Sequence, residues 1–73
     1  MITDEQLVRL RTLAHLYVEE LPDARALNNL ILIFDICEIL TLTADQLETV
    51  FGAAALQWVT GLVYGEGALD VRR

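Results

Sequence analysis

Apolar residues recur at helical spacing from Leu7 onward. Leu7, Leu10, Leu13, Ala14, Tyr17, Val18 and Leu21 fall on one side of a 3.6-residue turn, and Arg9, Thr12, His15, Glu19 and Glu20 on the other. The pattern predicts an amphipathic helix over residues 4–21. Pro22 disfavours continuation, because its ring restricts the residue before it and it has no N–H to donate. Asp23 stands where an N-cap belongs, and a second helix is predicted over residues 24–40. In "LNNLILIFDICEIL" apolar side chains point almost all round, leaving a narrow polar seam of Asn28, Asp35 and Glu38. A helix of that composition packs centrally, covered by neighbours on several sides. The run does not alternate and is too long for an ordinary strand. A third helix is predicted over residues 44–64, with Leu47, Val50, Phe51, Ala54, Trp58 and Leu62 on its inner side.

Two hexapeptides echo one another: "ITDEQL" at residues 2–7 and "LTADQL" at residues 42–47. In each, Thr sits at an N-cap, where its hydroxyl can accept from a free backbone N–H. Gln three residues on can reach back to the cap, which makes a capping box at Thr3/Gln6 and at Thr43/Gln46. Asp4, Glu5, Asp45 and Glu48 meet the positive ends of the helix dipoles. Beyond the sixth residue the two stretches diverge, so the echo is helix-start grammar and not a duplicated unit.

The expected fold is therefore all-α: one three-helix domain over residues 1–65, with residues 66–73 as a flexible tail. A chain of 73 residues is small for a single core, which at this size contributes only about 3–5 kcal/mol of net stability. One cysteine and one histidine supply neither an intrachain disulfide nor a structural zinc site, and no metal or cofactor is expected. Yet 55% of the residues are apolar, above the roughly 45–50% of ordinary globular chains. Three short helices cannot hide that surplus, which predicts a homodimer or higher oligomer.

Eleven acids face five bases, for a formal charge of −6. The bases are Arg9, Arg11, Arg25, Arg72 and Arg73, and none lies between Arg25 and Arg72. This balance disfavours direct attraction to nucleic-acid phosphates or anionic lipid and admits a basic protein as partner. No basic segment followed by an apolar run opens the chain, and the free thiol of Cys37 suits a reducing compartment, so a cytoplasmic location is expected.

Sharper chemistry has little to stand on. Thr43, Leu47, Gly52 and Trp58 are spaced in a way that resembles the helix-turn-helix of phage-repressor-like DNA-binding domains, over residues 43–61. The resemblance would imply a recognition helix, but "AAALQWV" offers only Gln57 to bases or phosphates, and Glu48 stands where a small residue should pack. Gly52 is accordingly expected to lie inside a continuous helix. The uncharged run 49–65 is at the short limit for a membrane span and is diluted by Gln57, Thr60 and glycines, so an interface helix is expected there. His15 and Glu19, four apart, are half of a metal site with no third ligand nearby. Cys37 lacks a basic neighbour and reads as core rather than nucleophile. Asp35, between Phe34 and Ile36, is expected to be partly buried and to face Arg9, Arg11 or Arg25 of a neighbouring helix.

The functional expectation is a small, acidic, non-catalytic interaction or regulatory subunit that self-associates through apolar helices. Its expected interface residues are Ile33, Asp35, Ile36, Cys37, Leu40, Phe51, Trp58 and Leu62. Two alternatives are a degenerate helix-turn-helix accessory factor and an acidic inhibitor of a nucleic-acid-binding protein.

Overall fold

The computed structural model describes residues 2–64, which form the helices α1 (Asp4–Val18), α2 (Ala24–Ile39), α3 (Ala44–Phe51) and α4 (Ala53–Tyr64). The tail expected at residues 66–73 lies outside the described residues. Helix α1 packs against α2 and α3, and α4 packs against α2 and α3. Among the described residues, no helix is long and apolar enough to cross a membrane.

Both capping boxes are present. At α1 the Gln6 N–H donates to Thr3 Oγ1 at 3.1 Å while the Thr3 N–H donates to Gln6 Oε1 at 3.0 Å. Thr43 and Gln46 repeat the arrangement at α3, at 3.1 and 2.9 Å. Asp23 caps α2 by accepting from the Ala26 N–H at 3.0 Å. Helix α1 stops at Val18, three residues before the expected end, because the chain tightens into turns ahead of Pro22. The Glu20 N–H donates to Tyr17 O and the Leu21 N–H to Val18 O, both i to i−3 bonds.

Helix α2 closes with a pair of bonds, Leu42 N–H to Cys37 O at 3.1 Å and Thr41 N–H to Glu38 O at 3.0 Å. This is the Schellman pattern, and it requires a left-handed residue at Thr41, whose φ is 57°. A β-branched residue in that region is strained. The turn delivers Thr43 directly to its cap on α3.

The expected third helix is two helices. A continuous rod over residues 44–64 would be about 31 Å long, against about 24 Å for α2, and its end would overhang its neighbours. Gly52 breaks it, with φ 85° and ψ 153°, a conformation in which a side chain is disfavoured. Open space surrounds the position where a Cβ would stand, so the backbone angle and not crowding selects glycine. The Gly52 N–H closes α3 by donating to Glu48 O at 2.7 Å, and its carbonyl opens α4 by accepting from the Leu56 N–H at 2.9 Å. The break also changes the inner face. Val50 and Phe51 are buried as the periodicity suggests, but in α4 the buried residues are Ala55 and Val59, while Ala54, Trp58 and Leu62 turn outward.

The core is assembled from Ala14 of α1, Leu30, Ile33, Phe34 and Cys37 of α2, Val50 and Phe51 of α3, and Ala55 and Val59 of α4. Phe34 sits at its centre. Its ring meets Phe51 at 6.1 Å between centroids and Tyr64 edge-on at 6.0 Å, and the Tyr64 hydroxyl donates to Glu38 Oε2. Leu7, Leu10, Tyr17 and Val18 of α1 pack half-buried against this core, but Leu13, expected on the same face, is exposed.

The capping boxes make a direct prediction. Thr43→Ala is expected to cost about 0.5–2 kcal/mol, and Thr3→Ala less, because the first helix of the chain can fray at its start. Urea unfolding of the two variants checks this. Equal and negligible effects would remove the capping account of the repeated hexapeptide. A second prediction concerns Cys37, which is wholly buried and whose thiol burial pushes up to about 11. The neutral thiol's contribution is intact below the unfolded value near 9 and is lost as pH rises toward 11. At pH 8 a thiol-specific disulfide reagent should label the native protein slowly and the urea-unfolded protein at once. Immediate labelling in plain buffer would contradict the burial.

Candidate interaction surface

Helix α2 buries one side and leaves the other in water. On the outer side Arg25, Asn29, Leu32, Ile36 and Ile39 succeed one another at alternating spacings of four and three, which keeps them on one stripe of the helix. Leu32 is 57% exposed, Ile36 48% and Ile39 78%. Asn28 and Asp35, seven apart, flank the stripe on one side and are also exposed. Three large aliphatic side chains within two turns of one helix face form a patch that isolated surface leucines do not explain.

A second apolar area adjoins the C-terminal end of α2. Leu40, Leu13, Leu10 and Ile2 line an open groove of about 310 Å³ with Gln6 and Arg9. A neighbouring depression of about 330 Å³ shares Ile2 and Leu40 and extends to Thr41, Thr43 and Gln46. Helix α4 offers a third area: Trp58 and Leu62, one turn apart, are exposed, and no charged residue occurs between Ala53 and Tyr64.

The residues expected at an interface divide accordingly. Ile36, Leu40, Trp58, Leu62 and Asp35 are on the surface. Ile33, Cys37 and Phe51 lie inside the chain's own core, where they serve the packing of α2 against its neighbours. Asp35 is not partly buried as expected but exposed, because it falls on the outer side of α2, away from Phe34. Leu32 and Ile39, the most exposed aliphatics of the α2 stripe, escaped the sequence reading. The signal that would have found them is the four–three spacing that begins at Arg25.

Charge on the surface is sparsely paired. Among the described residues the one ion pair is Arg9–Glu5 at 2.9 Å, an i, i+4 contact between exposed side chains that contributes little. Arg25 and Asp35 have no oppositely charged partner within 4.0 Å among the described residues. His15 and Glu19 share a shallow open depression with Arg11, Thr12 and Leu16 on α1. No group of three or more His, Cys, Asp or Glu side chains that could hold a metal occurs among the described residues. What the surface is equipped for chemically is burial of aliphatic area with a few charges at its margins.

Searches of protein-family models, curated proteins and solved structures give no match to this chain.

Proposed function

We propose that the protein is a small, non-catalytic interaction or regulatory subunit that self-associates through apolar helix surface. The observation that carries the reading is the outer face of α2, where Leu32, Ile36 and Ile39 stand exposed on the side of the helix away from the core. Fully burying a side chain of this kind gains about 1.5–3 kcal/mol, and a domain this small has few other sources of stability. The acidic surface, with Asp35, Glu38, Asp45 and Glu48 all exposed, suits a basic protein as a further partner.

One observation favours a second reading, a degenerate helix-turn-helix accessory factor: the chain does break at Gly52 between two helices. Against it, a single residue joins α3 to α4, where DNA-reading pairs use a turn of three or four residues. Helix α4 also has no charge to set against a phosphate.

Sedimentation equilibrium tests the main reading. At micromolar concentration the mass is expected at twice the chain's 8.2 kDa or above, falling on dilution. A mass that stays at 8.2 kDa across the concentration range would overturn it. Salt-dependent binding to duplex DNA at micromolar affinity or better would favour the second reading.

A further inference from the structure

The charges of α2 are placed against its own dipole. Arg25 lies in the first turn, where the helix end is positive, and Glu38 lies in the last turn, where it is negative, with Asp35 one turn earlier. Asp23 at the cap supplies one anion of the favourable sign, but no base sits in the last turn. An isolated helix is weakened by this arrangement. Side by side with an antiparallel copy it becomes complementary, since each Arg25 then stands near the negative end of the other helix and each acid near its positive end.

The spacing of the outer stripe agrees. Arg25, Asn29, Leu32, Ile36 and Ile39 occupy the two repeating positions of a heptad, the pattern by which one helix keeps a single seam against another. We infer that this seam binds the same seam of a second copy, antiparallel, about a two-fold axis at Leu32. This rests on the reading that the chain self-associates and adds which face meets which.

The register follows from the residues. With the axis at Leu32, residues equally far before and after it face each other. Leu32 then meets its counterpart, and Asn29 meets Asp35 of the second copy, so an amide can donate to a carboxylate. Arg25 meets Ile39 of the second copy, one turn from that copy's Asp35, which a guanidinium can reach. Asn28 lies against Ile36, at the margin. A parallel pairing would instead set Arg25 against Arg25 and Asp35 against Asp35, and like charges in those positions are repulsive. Helix α4 cannot supply the partner face, because it has no charge for Arg25 or Asp35 to meet. The pairing is isologous, so it closes at a dimer.

Two single charge reversals test this, Arg25→Asp and Asp35→Arg, each at an exposed position where the new charge suits the α2 dipole better than the old one, so the fold is retained. Each variant alone places like charges at both ends of the seam, and its dimer should weaken at least about tenfold. Mixed together, the two variants form a heterodimer in which an Arg faces an Asp at both ends. Native mass spectrometry of the mixture should show the heterodimer in excess of the statistical share, and sedimentation equilibrium should show near wild-type affinity. If the wild type dimerises but the single variants do so equally well, or the mixture shows no preference, the α2 register is wrong while self-association stands. If the wild type is monomeric throughout, both readings fall.

Discussion

Helix α2 carries more apolar surface than its neighbouring helices cover, and the rest of the molecule is arranged around that excess. Its inner side is fully used: Leu30, Ile33, Phe34 and Cys37 are closed off by α1, α3 and α4. Its outer side is left over, with Leu32, Ile36 and Ile39 in water. The chain has no further helix among the described residues to lay across them. In a larger domain another layer would do so, but a domain of this size buries a smaller fraction of its surface.

The turns on either side of α3 serve the same constraint. Thr41 accepts a left-handed conformation so that α3 can turn back beside α1, and Gly52 turns α4 back toward α2. These two reversals bring Val50, Phe51, Ala55 and Val59 onto the α2 core within a short stretch of chain. The repeated hexapeptide marks the two helices, α1 and α3, that pack against each other, and its capping bonds fix where each begins. Caps and turns alike act through backbone geometry. They organise apolar surface, inside and out.

How far the sequence foretold this depends on the kind of signal. Capping is local chemistry, and Thr3, Asp23 and Thr43 were legible because hydroxyl or carboxylate, spacing and following residues all agreed. The large share of the core that α2 supplies was legible from its composition, but the expected cover on several sides is not found: one side is packed and the side of Leu32, Ile36 and Ile39 is exposed. The break at Gly52 was not, since a lone glycine is tolerated inside a helix and only the length of the neighbours makes a continuous rod overhang. Missing that break shifted the phase of the inner face and put Ala54, Trp58 and Leu62 inside, where the structure has Ala55 and Val59. For the same reason the surface was read in part. A helix that is apolar nearly all round does not announce which side its neighbours will take, so Ile33 and Cys37, both buried in the chain's own core, stand among the expected interface residues along with the exposed Ile36. Asp35 was expected to be partly buried because it stands between two apolar residues, but adjacent residues on a helix point about 100° apart.

Self-association through α2 turns on what covers Leu32, Ile36 and Ile39. Intermolecular contacts between side-chain protons, read by isotope-filtered NMR on an equal mixture of labelled and unlabelled protein, address it most directly. Contacts between chains are expected from the methyl groups of all three residues, including Leu32 to its own counterpart across the axis. Intermolecular contacts confined to Trp58 and Leu62, or none at all at concentrations where the protein is associated, would contradict it.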